Sequence, residues 1–76
     1  MKVTVHMHGN LRRFLPGGAD RTVLDVAPGT TIEALLAGLG AARDTWLVAI
    51  NGVTVGRERA LEADDLLDCF EPVAAG

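Results

Sequence analysis

The chain has 76 residues, 49% of them hydrophobic, and a formal net charge of −3. That length makes one domain with one modest core, burying about 60% of the unfolded surface and leaving little chain to wall a deep catalytic cleft. The acidic balance argues against a general nucleic-acid or membrane-surface binder, the single cysteine excludes an internal disulfide, and no apolar run reaches transmembrane length.

Residues 2–8 alternate, with Val3, Val5 and Met7 on one side and Lys2, Thr4, His6 and His8 on the other. This is a half-buried strand that begins at once, without a charged-then-apolar leader, so a cytoplasmic location is expected. Gly9-Asn10 breaks it, and Leu11, Phe14 and Leu15 then fall at the spacing of a single helical turn packed on the core. Pro16-Gly17-Gly18 reads as a loop; it lacks the following Lys and helix of a phosphate-binding loop. A second strand is predicted over 21–26, with Leu24 and Val26 on one face, followed by a turn at Pro28-Gly29.

Thr30 with Glu33 three residues later fits a capping box, in which each side chain takes a free backbone N–H at a helix start. Ile32, Leu35, Leu36 and Leu39 form one apolar stripe at helical spacing, and Gly38 and Gly40 are expected to end the helix early. Residues 46–50 are almost continuously apolar, as in a strand covered on both faces. Asn51-Gly52 then predicts a tight hairpin into a strand containing Val53 and Val55. Residues 57–63 are polar and irregular around an anchor at Leu61; Asp64-Asp65 marks a turn, and the last strand is expected over 66–70.

Strand, strand, helix, strand, strand, strand is the order of an α+β domain: a mixed sheet of four to five strands with one main helix on one face. Pairing of the first and last strands in the middle of the sheet would let the chain leave from its most rigid part. The expected division is a domain over 1–71 and a flexible tail over 72–76. Pro72 has no N–H to give to a ladder, and Val73, Ala74, Ala75 and Gly76 offer little bulk to dock with.

Other residues carry weaker signals. His6 and His8 sit at i and i+2 on one strand face, but no Cys, Asp or Glu beside them in sequence completes a metal set. They are read as solvent-facing, with no metal expected. Cys69 is read as a small buried core residue. Asp64, Asp65, Asp68 and Glu71 make the approach to the tail acidic; an exposed face is the preferred reading, with electrostatic steering toward a basic groove as the functional one. Phe70 is balanced between a packed strand end and an anchor for a partner. No spacing suggests a nucleophilic triad or a carboxylate pair.

Several stretches resemble the ubiquitin-like β-grasp sulfur carriers, which include the small subunit of molybdopterin synthase (MoaD) and the thiamine-pathway carrier (ThiS). They are Leu11-Arg12-Arg13-Phe14-Leu15-Pro16, Pro28-Gly29-Thr30-Thr31-Ile32 and Val48-Ala49-Ile50-Asn51-Gly52. Leu61, Asp65 and the closing Phe70-Glu71-Pro72-Val73-Ala74-Ala75-Gly76 complete the set. The resemblance spans essentially the whole chain, and the closing stretch leans toward the molybdopterin branch. It implies a ubiquitin-like β-grasp fold and a non-catalytic carrier that binds no cofactor itself. It implies adenylation of Gly76 by a ubiquitin-activating-type adenylyltransferase using ATP, and conversion to a thiocarboxylate with sulfur from a sulfurtransferase or sulfide donor. Sulfur then passes to an acceptor enzyme such as a molybdopterin synthase large subunit. Phe70, Pro72, Val73, Ala74 and Ala75 would be the partner-binding approach to Gly76. Position 75 is Ala where the family usually has Gly, which costs about 1–2 kcal/mol if a partner demands a left-handed backbone there. The alternative is a ubiquitin-like binding or conjugating modifier without sulfur transfer; no nucleic-acid or membrane partner is expected.

Overall fold

The alternating stretch at the start of the chain forms strand β1, Lys2–Met7, in which Val3, Val5 and Met7 are fully buried. The computed structural model describes residues 1–72. After β1 a 3-10 helix over Gly9–Phe14 buries Leu11, and a second short one over Pro16–Gly18 leads into β2, Arg21–Asp25. Strand β2 returns antiparallel to β1, with His6 opposite Arg21 and Lys2 opposite Asp25.

Helix α1 spans Ile32–Leu39 and turns Ile32, Leu35 and Leu36 into the core. Its start differs from expectation. Thr31 is the capping residue, its hydroxyl oxygen accepting the Ala34 N–H at 3.1 Å, while the Thr30 hydroxyl donates to the Ala27 carbonyl at 2.7 Å. The Thr30–Glu33 capping box does not form, because a bridge between Thr31 and Ala60 holds Thr31 in extended conformation just before the first turn, and Glu33 pairs with Arg57 instead. Gly38 lies inside the helix, which stops at Gly40.

Strand β3, Leu47–Ile50, turns through Asn51-Gly52 into β4, Val53–Val55. Both turn residues have positive φ, 50° and 86°, which Asn and Gly tolerate and a tight hairpin requires. Trp46 lies outside β3 and is 62% exposed, so the apolar run is not covered along its length. Strand β5, Leu66–Phe70, completes a five-stranded sheet of order β2-β1-β5-β3-β4. It runs parallel to β1 and antiparallel to β3, so the first and last strands form the central pair.

One face of the sheet packs on α1. Val3, Val5, Met7, Val48, Ile50, Leu67 and Cys69 meet Ile32, Leu35 and Leu36 there, and Leu11, Leu15 and Leu61 close the edges. Burying large aliphatic side chains stabilises by about 1.5–3 kcal/mol each, so this single layer carries the fold. The architecture is a ubiquitin-like β-grasp: a mixed sheet with one main helix on one face. The other face presents Thr4, His6, Asp68 and Phe70, which share the opposite side-chain parity. Among the described residues, no helix is long and apolar enough to cross a membrane.

Candidate functional site

The end of β5 is fixed from several sides. Phe70 lies opposite Leu47 on β3, and its carbonyl accepts the Trp46 N–H at 2.8 Å. On the other side, the His8 N–H donates to the Cys69 carbonyl at 3.0 Å, extending the parallel ladder beyond β1. The half-buried Phe70 ring stacks on His8, centroids 4.3 Å apart and planes 12° from parallel. Phe70 is thus a packed strand end whose ring remains partly accessible.

Glu71 continues the restraint. Its carboxylate accepts the Asn10 N–H at 3.0 Å and occupies the place where a side chain on residue 9 would go, which Gly9, at φ +62°, leaves free. Pro72 follows, exposed and outside any strand. The chain is therefore held by backbone or side-chain contacts up to Glu71. The expectations for Val73, Ala74, Ala75 and Gly76 lie outside the described residues.

The acidic approach is not a simple exposed face. Asp65 is 5% exposed and closes a network: its carboxylate accepts the Glu62 N–H at 2.8 Å, Arg59 Nη1 at 3.1 Å and Asn51 Nδ2 at 3.2 Å. Burial pushes its carboxyl up, but the Glu62 N–H, the Arg59 guanidinium and the Asn51 amide outweigh it and hold the group below its ordinary value. Asp68 is mostly covered too, and Oδ1 takes both histidines: His6 Nδ1 at 3.1 Å and His8 Nε2 at 2.9 Å. The histidines are accordingly half-buried rather than freely solvent-facing. Sequence proximity did not reveal this acid because it lies 60 positions beyond His8; the parallel register of β1 on β5 sets His6 beside Asp68. That register, once inferred, was the one available signal for the cluster.

Cys69 points into the core and is completely buried; burial first, then the neighbouring Asp68 charge, pushes its thiol up to about 12. It is a core residue, and a thiol kept protonated is a poor nucleophile. Beyond β1, Gly9, Asn10, Arg12, Arg13 and Gly18 line a shallow hollow. Its arginines are engaged internally, Arg13 with the Asn10 carbonyl and Asp44, and Arg12 with the Gly18 carbonyl. Among the described residues, no nucleophile, base and oxyanion site come together at the end of β5. Chemically, the described surface can hold and present the outgoing chain.

No family model and no curated protein sequence matches the chain. Three-dimensional comparison does find relatives of the fold. SAMP1 from Haloferax volcanii superposes with a TM-score of 0.78 at 23% identity, covering 100% of both chains. A second structure of that organism's small archaeal modifier protein 1 gives 0.75 at 23% identity, over 95% of this chain and 98% of the other. A Pyrococcus furiosus protein assigned as molybdopterin converting factor subunit 1 gives 0.77 at 19% identity, over 96% and 99%. At these identities the likeness establishes the ubiquitin-like β-grasp fold over the whole length.

Proposed function

We propose that this chain is a sulfur carrier acting through the Gly76 carboxylate. The observation that carries the reading is the placement of β5. It is the middle strand of the sheet, tied to β1 and β3 along its length, and restraint persists through Glu71 before the chain passes Pro72 into small residues. A rigid body with a narrow end suits a group delivered into another protein's buried site. Gly at the reacting position has no side chain to meet a nucleotide or pocket wall.

The chemistry resides in partners. An adenylyltransferase of the ubiquitin-activating type joins the Gly76 carboxylate oxygen to the α-phosphorus of ATP and releases pyrophosphate. Hydrosulfide then attacks the acyl carbon and AMP departs, leaving a thiocarboxylate; with a persulfide donor, a second thiol must cleave the resulting acyl disulfide. An acceptor enzyme takes the sulfur, and the likeness to a molybdopterin converting factor subunit supports molybdopterin formation as that destination. In this scheme the chain binds no cofactor of its own, and Phe70, Pro72, Val73, Ala74 and Ala75 form the approach that partners grip.

A second reading, a modifier joined to lysine through Gly76, draws support from the likeness to small archaeal modifier protein 1. One experiment separates the two. The chain is incubated with ATP, sulfide and the activating enzyme of the same cell, and intact mass is measured. The carrier reading expects replacement of one oxygen by sulfur, localised to Gly76 and absent when Gly76 is deleted. It expects Ala75→Gly to load at least as well. A chain that never loads but forms isopeptide adducts supports the modifier.

A further inference from the structure

The open face of the sheet holds a cluster that the carrier reading leaves unused. His6 and His8 alternate on one side of the β1 segment, and His6 is in register with Asp68 on β5. Their ligand atoms, one from each residue, all lie within 4.8 Å of one another. Two nitrogens, His6 Nδ1 at 3.1 Å and His8 Nε2 at 2.9 Å, converge on the same carboxylate oxygen. Donor atoms around a tetrahedral ion with bonds of ~2.0–2.1 Å stand roughly 3.3 Å apart, so two edges of the set need to open by only a few tenths of an ångström. We infer that His6, His8 and Asp68 bind one divalent transition-metal ion of the zinc class.

The donor types select the ion. Two imidazoles and a carboxylate suit zinc, nickel or copper, whereas calcium and magnesium call for shells made of oxygen. No thiolate is offered, because Cys69 faces the opposite side of the sheet and burial pushes its thiol up to about 12. A packing role alone explains one histidine on Asp68. Two on one oxygen, one from β1 and one from the residue just after it, bring a three-donor set to a single point. Three protein ligands leave a fourth position for water or a group brought by a partner. The site also touches the exit of the chain: the His8 ring lies against Phe70, two residues before Pro72. An ion on His8 would fix that stack.

The test uses the untagged full chain and Zn²⁺ as the probe. Isothermal titration should give saturable uptake of one ion per chain, and two-dimensional NMR should show the ring signals of His6, His8 and Phe70 moving together. His8→Gln and Asp68→Asn should each weaken uptake about tenfold or more, a loss of the size that disturbed metal sites show. Glu62→Gln, an exposed carboxylate outside the cluster, should change nothing. Amide spectra of each variant verify that the fold persists. Absence of saturable uptake, or uptake unchanged by Asp68→Asn, overturns the inference. The experiment needs neither ATP nor an activating enzyme, so its failure leaves the carrier reading intact, and failure of sulfur loading leaves the metal site intact.

Discussion

Two aspartates three residues apart, one just before β5 and one in its middle, have opposite surroundings. Asp65 is buried and its partners are a guanidinium, a side-chain amide and a backbone N–H. All three reach it through N–H donors, so this carboxylate is consumed in closing the loop over 57–65. The same residue ties that loop to β1 through its carbonyl, which accepts the Thr4 N–H at 2.9 Å. Asp68 faces two imidazoles, whose Nδ1 and Nε2 atoms converge on the same carboxylate oxygen. A carboxylate surrounded by permanent donors holds a fold together, whereas one shared by two imidazoles is the set on which the metal inference rests. Strand β5, which begins between them, is the one that leads toward the tail.

The largest effect should come from breaking the Asp65 side of this comparison. Asp65→Ala removes the acceptor that the Glu62 N–H, Arg59 Nη1 and Asn51 Nδ2 share, and should cost about 3 kcal/mol in denaturant unfolding. In a chain of this size that is a fall of roughly 15 °C in Tm. A pH series sharpens the point. The folded carboxyl lies below its ordinary value of 3.8, so its contribution is fully present above that pH and is lost as the pH falls through the depressed folded value. Asp65→Asn should therefore be less stable than the parent at neutral pH and converge on it in acid. Stability curves that stay parallel into acid would assign the destabilisation to shape rather than to the charge.

Much of the fold was legible because its signals are local. The alternation of residues 2–8, the Asn51-Gly52 turn and the stripe of Ile32, Leu35, Leu36 and Leu39 each depend on neighbours within a few positions. The central pairing of the first and last strands is compatible with their order in the chain but not dictated by it; the structure places them side by side. What stayed hidden depends on contacts between distant segments. Thr30 and Thr31 are the same residue type at adjacent places, and the bridge from Thr31 to Ala60 accompanies the choice of cap. Trp46 carries the apolar signal of a covered strand, yet it stands before β3 and is exposed. Asp65 and Asp68 look alike in sequence. Only the closing of the 57–65 loop and the parallel register on β1 make one a strut and the other a partner of histidines.

The smallest effect on stability should come from the Asp68 side, and it is the more informative one. Asp68→Ala removes two side-chain contacts at the edge of solvent, leaves the backbone ladder of β5 in place and strands no fixed charge. Exposed or half-exposed pairs of this kind contribute at most about 1 kcal/mol, so denaturant unfolding without metal should move by no more than that. A loss as large as that of Asp65→Ala would make Asp68 a second structural strut and remove the contrast between the two. A small loss means that the central strand pair keeps a partly covered carboxylate and two imidazoles together with little return in stability. Their placement next to Phe70 then requires an explanation in what the face binds.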